Sequence, residues 1–407
     1  MRFLFSAVGA AGHLLPLVPL ADAASDAGHE VAFVSAANMA GYLDARALLP
    51  AGTDSATALA ETERRTGAGD GRNPGAAAVE LFAGVRVDLG FDAALNHARG
   101  YAPDLLVCDA LDFTGPMVAA ALGLPWASFA VSAPLPPALI DAMIDRSAAQ
   151  HDARGLHRRQ RFAWLDPLPD VLRTAGDPPP PADRITVRPV AHSGDRANAT
   201  TQGLRELPSE GPRVLVTAGT SVQDPGLLAD LAVSVVGAGC HAVVTAPAGT
   251  GPQGPRVHNV GFVALARLLP KVDAVVGTAG FGTVLATLAA GLPSVMRPVL
   301  ADQPRNAGRV AAAGAGIAIK DSAAAGPAVR NVLTDPGYRH AAQAAAVAIG
   351  SMPAPGAILG ELLSRAGLCA GVNVETGSRD PPRSGEDGES QPGVPGRAPR
   401  ADHRRRP

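Results

Sequence analysis

Residues 275–293 read VVGTAGFGTVLATLAAGLP, and more of the fold follows from them than from any other part of the chain. The apolar run at 272–276 is typical of a buried parallel strand, and residues 284–290 are typical of a short helix that stops at Gly291. The glycine-rich turn between them would carry free backbone N–H groups and the positive end of the helix dipole. The sequence therefore predicts a phosphate-binding turn at residues 278–283.

A second polar element follows this turn. Residues 293–299 are predicted to form the next strand, and Asp302 and Gln303 come directly after it. In open α/β sheets, ligands bind at the carboxyl ends of the strands. We therefore expect the phosphate-binding turn and this acid–amide pair to share one crevice.

The order and spacing of these residues resemble the signature of family 1 glycosyltransferases, the nucleotide-sugar enzymes of the GT-B fold. That signature reads roughly His-Gly-Gly-x-Gly-Thr, then Glu-Ala-Leu, Gly-x-Pro, Asp-Gln and Asn-Ala. In this family the His contacts the donor diphosphate and the Glu contacts the donor ribose, but this chain has Thr278 and Ala286 at those positions. The residues that match in register are Gly280, Gly282, Thr283, Leu288, Gly291, Pro293, Asp302, Gln303, Asn306 and Ala307.

The composition narrows the class of protein. A length of 407 residues predicts two or three domains, and a net charge of −2 favours neither nucleic acid nor a membrane as partner. Apolar runs stay shorter than the roughly 18–20 residues of a membrane span, and residues 2–11 fit a first buried strand better than a signal peptide. Three scattered cysteines indicate a reducing cytoplasm. His, Cys and carboxylate residues show no metal-ligand spacing, so no metal cofactor is expected.

The N-terminal half predicts a similar sheet. Residues 2–8 and 30–35 are predicted strands on either side of an Ala-rich helix that opens at Pro16, which makes a βαβ unit. His13 lies in the loop between the first strand and this helix, at the carboxyl edge of the sheet. Residues 41–73 are predicted to be irregular surface loops.

The resemblance implies that His13 is the general base and that Asp109, at the end of the strand predicted at 105–108, orients it. An imidazole titrates near neutrality and can take the proton of an acceptor hydroxyl, while a carboxylate on its other nitrogen fixes the tautomer. Asp112 is a nearby alternative to Asp109. A structural hydrogen bond for His13 and a helix cap for Asp109 are the non-catalytic alternatives.

The departing nucleoside diphosphate also needs stabilisation. Backbone N–H groups from Gly280 to Thr283 can supply it without a metal, and Thr220 follows a predicted strand, so its hydroxyl could also reach a phosphate. Thr278 could partly replace the missing His as a weaker, neutral donor. A plain strand–helix connection is the alternative for this turn.

The remaining donor contacts come from the resemblance alone. It implies that Asp302 and Gln303 bind sugar hydroxyls and that Phe262 lies against the nucleobase. The alternatives are a helix cap and first turn for the acid–amide pair, and a core position for Phe262.

These features predict an α/β protein with the GT-B fold, in which two Rossmann-like, doubly wound domains face each other across a cleft. The expected segments are an acceptor-binding domain at 1–163, a proline-rich interdomain linker at 164–210, a nucleotide-sugar-binding domain at 211–366 and a disordered tail at 367–407.

The resemblance implies an inverting, hexosyltransferase-type enzyme of antibiotic or secondary-metabolite biosynthesis. It would move a sugar from a dTDP- or UDP-sugar donor to a small hydrophobic aglycone, without a cofactor, as a cytoplasmic monomer or homodimer. An auxiliary GT-B protein with weak or no catalysis and a nucleotide-sugar epimerase of the same fold are the alternatives.

Overall fold

The computed structural model describes residues 1–67, 75–192, 207–222, 224–246 and 250–368. Met1–Cys369 form one compact unit. Nearly all of the predicted tail, 367–407, lies outside the described residues, so that prediction stays open.

Two parallel sheets form the framework of the described chain. The strands of the first are β1 Arg2–Ser6, β2 Glu30–Ser35, β3 Ala47–Pro50, β4 Leu105–Asp109, β5 Trp126–Phe129, β6 Ala163–Asp166 and β7 Arg184–Thr186. The strands of the second are β8 Arg213–Thr217, β9 His241–Val244, β10 Val257–Asn259, β11 Ala274–Gly277, β12 Ser294–Met296 and β13 Gly316–Ala318. The strand orders are β3-β2-β1-β4-β5-β6-β7 and β10-β9-β8-β11-β12-β13, so two doubly wound sheets are present, as predicted.

Helices cover the faces of both sheets. Those of the first half are Ala11–Leu14, Val18–Asp26, Ser55–Thr66, Ala76–Val79, Arg86–Tyr101, Thr114–Leu122 and Pro137–Asp152, with a π-helical turn at Glu80–Val85. Those of the second half are Pro225–Gly237, Leu265–Leu268, Phe281–Ala289, Gln303–Ala312, Ala325–Thr334, Pro336–Ser351 and Leu359–Arg365.

The strand order reverses between β1 and β4 in the first sheet and between β8 and β11 in the second. Ligands of open α/β sheets bind at such switch points, beyond the carboxyl ends of the strands. Asp109 is the last residue of β4, and the loops after β1, β8 and β11 carry His13, Thr220 and Thr278. The topology therefore places the predicted site residues at the two switch points.

Three sequence-based expectations are wrong in part. Ser55–Thr66, in the stretch predicted to be irregular, is a helix whose N-terminus is capped by Asp54, which accepts from the Thr57 N–H at 2.9 Å. The linker predicted at 164–210 begins too early, because Trp164 pairs with Arg184 and strands β6 and β7 extend the first sheet to Thr186. The boundaries of the two domains otherwise remain a prediction.

The last helix, Leu359–Arg365, was expected to belong to the second domain. Leu359 and Leu362 instead pack into the first core, with Phe3 and Leu17. These leucines form the apolar face of a short helix, and packing on the core of the first sheet removes that face from water. The last described helix therefore packs on the first half of the chain.

A third core joins the two halves directly. It packs Leu168 and Leu172 of the first half against Phe281 and Leu285, which lie on the helix after the glycine-rich turn. The halves are thus fixed to each other immediately behind the predicted phosphate-binding turn.

One stretch, Pro336–Arg365, is long and apolar enough to cross a membrane, by length and composition alone. Some of its apolar residues pack inside the protein. Ala342 and Ile349 pack in the core between the halves, and Leu362 packs in the first core.

Candidate active site

His13 and Asp109 form a direct pair. The His13 Nδ1 lies 3.2 Å from both carboxylate oxygens of Asp109, and the imidazole keeps 20% of its side-chain surface exposed. Asp109 is buried and also accepts from the backbone N–H groups of Val8 at 3.0 Å and Leu111 at 2.7 Å. These two bonds hold the carboxylate in position, so Nδ1 donates to it and Nε2 is the nitrogen left for a substrate.

The loop after β1 packs closely against neighbouring backbone, and this packing sets the position of His13 next to Asp109. A Cβ atom on Gly9 would lie 2.5 Å from the Ala36 Cβ and 2.7 Å from the Thr53 carbonyl oxygen, so only glycine fits in the loop after β1. The next turn is the short helix Ala11–Leu14, which carries His13. The imidazole also contacts the ring of Phe82, with centroids 5.7 Å apart.

Asp112, the alternative partner, does not face His13. It is buried and accepts from the Ser6 hydroxyl and from the N–H groups of Thr114 and Gly115. Burial and the neighbouring Asp109 raise the pKa of Asp112 to about 6. His13 therefore contacts Asp109, whereas Asp112 is hydrogen-bonded to other residues.

Two loops of the second half meet this edge. A Cβ on Gly12 would lie 4.0 Å from the Thr220 Oγ1, so Thr220 faces the His13 turn across the cleft. A Cβ on Gly219 would lie 3.9 Å from the Thr283 Oγ1, so the loop after β8 also abuts the start of helix Phe281–Ala289. Thr220 thus lies beside the turn that carries His13, and the loop that holds Thr220 also borders the predicted phosphate-binding turn.

The glycine-rich turn has the geometry of an anion site. Gly280 is the N-cap of helix Phe281–Ala289, and Gly282 in its first turn is exposed with open space around its Cα. The first N–H groups of a helix have no partner within it and carry the positive end of the dipole. Asn306 Nδ2 donates to the carbonyl oxygen of Ala279 at 3.0 Å and fixes the turn from behind. This arrangement suits a diphosphate.

Thr278 has a different place from the one predicted. Its side chain is buried, and its Oγ1 donates to the Ala218 carbonyl oxygen at 3.0 Å. The hydroxyl proton therefore ties the loop after β11 to the loop after β8 and is not directed to a phosphate. The expectation that Thr278 replaces the missing His as a donor is wrong for this conformation. Ala286 is likewise buried, among Leu215, Val243 and other apolar residues.

Asp302 and Gln303 lie at the start of helix Gln303–Ala312. Asp302 makes no capping bond with its side chain; it accepts from Asn306 Nδ2 at 2.9 Å. Burial raises the pKa of Asp302, and Asn306 Nδ2 joins its carboxylate to the Ala279 carbonyl oxygen of the glycine-rich turn. The Gln303 Oε1 accepts from the N–H groups of Val299 at 2.8 Å and Leu300 at 3.0 Å. Only the Gln303 amide nitrogen is then left to contact a sugar.

Phe262 is not a core residue. It is 65% exposed, and its ring meets that of Tyr42 edge to face, with centroids 5.6 Å apart. Tyr42 belongs to the first half, so this contact spans the cleft. An exposed ring at the cleft is consistent with the predicted nucleobase contact.

Sequence reasoning missed Phe82, which packs against His13, and Arg86, which packs against Phe82. Phe82 lies in the π-helical turn Glu80–Val85, and Arg86 follows it with its guanidinium carbon 5.8 Å from the Phe82 ring centroid. The aromatic–Arg spacing of four residues is the signal that could have found them. Half-buried Phe82, Phe113 and Leu135 flank a small apolar core, which makes this side of the cleft suitable for a hydrophobic acceptor.

No group of three or more His, Cys, Asp or Glu residues in the described ranges could hold a metal ion. The expectation that the chain needs no metal stays a prediction.

Comparisons with known proteins agree with this geometry. Residues 237–364 match the family model described as erythromycin biosynthesis protein CIII-like, C-terminal domain. The elloramycin glycosyltransferase of Streptomyces olivaceus is 29% identical over 402 residues, which cover 90% of this chain and 98% of that protein. The L-demethylnoviosyl transferase of Streptomyces niveus is 29% identical and covers 78% of this chain and 85% of its own length.

A solved structure is also similar. The glycosyltransferase SsfS6 of Streptomyces sp. SF2575, complexed with thymidine diphosphate, matches with a TM-score of 0.75 and 25% identity over 89% of this chain and 99% of that one. These comparisons confirm the resemblance and the fold that residues 275–307 predicted.

Proposed function

We propose that this chain, a glycosyltransferase with the GT-B fold of the antibiotic-biosynthesis type, transfers a sugar with inversion of configuration. The donor would be a dTDP- or UDP-sugar, and the acceptor would be a small hydrophobic molecule. The observation that carries the proposal is the His13–Asp109 pair, at 3.2 Å, at the cleft that the donor-side loops also line. An auxiliary protein would have no use for a base held by a buried carboxylate.

In the proposed reaction, Nε2 of His13 takes the proton of an acceptor hydroxyl as its oxygen attacks the anomeric carbon. The bond from that carbon to the diphosphate oxygen breaks on the opposite face, so the configuration inverts. Asp109 stabilises the imidazolium that forms, and the proton then passes to solvent.

The diphosphate leaves with added negative charge. Preorganised N–H groups at Gly280–Thr283 and the Thr220 hydroxyl would stabilise that charge. Asp302 is at the same cleft and would accept bonds from sugar hydroxyls. The thymidine diphosphate in the SsfS6 crystal structure supports a thymidine nucleotide as the donor, with uridine as the alternative.

The proposed setting is a cytoplasmic monomer or homodimer that works without a metal. Cys108 and Cys240 are buried free thiols, which fits a reducing compartment. Activity is expected to survive EDTA, and full loss that Mg²⁺ restores would contradict the metal-free proposal.

The direct test is product formation. The protein is incubated with dTDP- and UDP-sugars and a panel of aromatic polyketide acceptors, and intact mass reports glycosylation while NMR reports the anomeric configuration. A product with inverted configuration is expected. Donor turnover without any acceptor would favour the epimerase, and binding without turnover would favour the auxiliary protein.

A further inference from the structure

A cavity of about 430 Å³ lies between the two halves of the chain. One wall is the loop after β5, residues 134–137, and a second wall is the connection between β6 and β7, which includes Asp177. The third wall is helix Gln303–Ala312, which contributes Arg305 and Arg309. We call this space the proline–arginine cavity. Small-molecule sites have volumes of about 300–1,000 Å³, so it has room for a ligand of that size.

Arg305 is a cation of this cavity without a satisfied guanidinium. Its Nη2 is buried and finds no hydrogen-bond partner in the described part of the chain. The residue is in the first turn of helix Gln303–Ala312, where the positive end of the helix dipole disfavours a cation. The carboxylate of Asp302, three residues earlier, accepts instead from Asn306 Nδ2 at 2.9 Å. A bound anion would offset both the missing hydrogen bond and the unfavourable position in the helix.

The second cation of the cavity is already neutralised. Arg309 Nη1 donates to the Asp177 Oδ2 at 2.6 Å, and both side chains are almost fully buried. The charges of this pair cancel, so the lining keeps the single positive charge of Arg305. A guanidinium binds a carboxylate through two parallel N–H···O bonds, which makes a carboxylate the best-matched anion.

The wall opposite the helix is apolar and stiff. Residues 134–137 read Pro-Leu-Pro-Pro, and each proline fixes its own φ. Leu135 is half-buried and packs on the same small core as Phe82, whose ring contacts the His13 imidazole. One apolar cluster therefore reaches from the ring beside His13 to the wall of the proline–arginine cavity.

We propose that the proline–arginine cavity binds the acidic end of the acceptor, a carboxylate on a hydrophobic molecule, with Arg305 as the residue that selects it. This inference rests on the proposed function, because it places the acceptor hydroxyl at His13. The carboxylate pairs with Arg305, and the apolar body lies against residues 134–137. Arg305 contacts the acceptor but not the reacting atoms, so its loss should change acceptor affinity and leave the proton transfer to His13.

The test compares a hydroxyanthraquinone carboxylic acid with its methyl ester, which keeps the ring system and loses the charge. In calorimetric titrations of the protein saturated with dTDP, the acid should bind about tenfold or more tightly than the ester. Arg305→Met should lower the affinity for the acid to that for the ester, with a much smaller effect on the ester. Arg305→Lys keeps the charge without the paired donors and should keep part of the preference.

Two further variants locate the effect. Gly176 lies in the β6–β7 wall, and a Cβ there meets nothing within 4 Å, so Gly176→Leu adds a side chain to the cavity without a clash at its Cβ. It should weaken binding of the acid and the ester together, and it gives this answer without changing Arg305. Arg330→Met removes an exposed Arg from helix Ala325–Thr334; it is the matched control and should keep the full preference for the acid.

An anthraquinone carboxylic acid without the hydroxyl separates an acceptor from an independent effector. If the cavity is part of the acceptor site, this acid should compete with the ester for binding. Binding of the acid that leaves ester affinity undisturbed would assign the cavity to an effector and overturn the inference. Equal affinities of acid and ester in the wild type, or a preference that survives in Arg305→Met, would overturn it as well.

The outcome is separable from that of the proposed function. His13→Ala should bind the acid as tightly as the wild type while forming far less product. Absence of product from the wild type, with the Arg305-dependent preference intact, sinks the proposed function and leaves an acid-binding site. Normal sugar transfer without any preference for the acid sinks only the role of the proline–arginine cavity.

Discussion

At the scale of single residues, two loops proposed to hold the donor contain strained backbone. Ala279 and Ala301 are both in the left-handed region, with φ of 63° and 53°, on the two loops that precede Gly280 and Asp302. This conformation costs a residue with a Cβ roughly 1–2 kcal/mol. Such strain concentrates at ligand sites, where surrounding contacts hold the backbone in place.

Ala301→Gly should relieve this strain. Ala301 is exposed, so no buried methyl group is lost, and the free energy of unfolding is expected to rise by about 0.5–1 kcal/mol after the added freedom of the unfolded chain is counted. Urea denaturation measures it. Ala289→Gly, exposed in helix Phe281–Ala289, is the control and should instead lose up to about 1 kcal/mol. A loss of similar size in both variants would mean that Ala301 is not strained.

At the scale of elements, the proposed diphosphate site depends on the start of one helix. Helix Phe281–Ala289 points its N-terminus into the cleft, with Gly282 exposed in its first turn. The N–H groups there are useful only if the diphosphate can approach the backbone closely. A side chain at Gly282 would occupy that approach while leaving the free protein undisturbed.

Gly282→Ala should therefore weaken dTDP binding about tenfold or more, or roughly 1.4 kcal/mol by calorimetric titration. A Cβ there meets nothing within 4 Å, so the free energy of unfolding should not fall. Gly308→Ala, an equally open site on helix Gln303–Ala312, is the matched control and should leave dTDP affinity unchanged. Equal affinities for both variants would remove the helix start from the donor site.

Local patterns explain why the sequence predicted the strands and the glycine-rich turn. Short apolar runs bounded by Gly and Pro need no distant partner to be interpreted, and the pairing of His13 with Asp109 follows once their strands are adjacent. The error at Thr278 has the opposite origin, because its acceptor, the Ala218 carbonyl, is 60 residues away in the chain. The contact of Arg86 with Phe82 follows from a local spacing, but the small cavity that Arg86 lines together with Asp112 depends on residues from distant parts of the chain.

At the scale of the whole molecule, one ion pair ties the halves together beside their common core. Arg309, on helix Gln303–Ala312, donates to the Asp177 carboxylate and to the Leu172 carbonyl oxygen at 2.9 Å. Both side chains are almost fully buried. The Arg309 guanidinium lowers the pKa of Asp177 to about 2. This pair therefore couples helix Gln303–Ala312 to the connection between β6 and β7 of the first sheet.

The stability of this connection should depend on pH. The pKa of Asp177 is below its unfolded value, so its contribution is full above about pH 4 and is lost as pH falls towards 2. Arg309→Met should lower the free energy of unfolding at pH 7 by about 2 kcal/mol or more and flatten its slope between pH 4 and 2. Arg365→Met, which removes a partly exposed pair with Glu361, should cost under about 1 kcal/mol. If the free energy of unfolding of Arg309→Met fell between pH 4 and 2 as steeply as that of the wild type, the Arg309–Asp177 pair would not be the source of this pH dependence.

Turnover of the His13→Ala variant tests the central claim most directly. Glycosylated product is quantified by intact mass at saturating donor for the wild type, for His13→Ala and for His340→Ala, whose imidazole is exposed on helix Pro336–Ser351. The account predicts that His13→Ala loses roughly 10²–10⁴ in turnover with little change in dTDP affinity, while His340→Ala keeps wild-type rates. Near wild-type turnover in His13→Ala would remove the base from the mechanism and contradict the account.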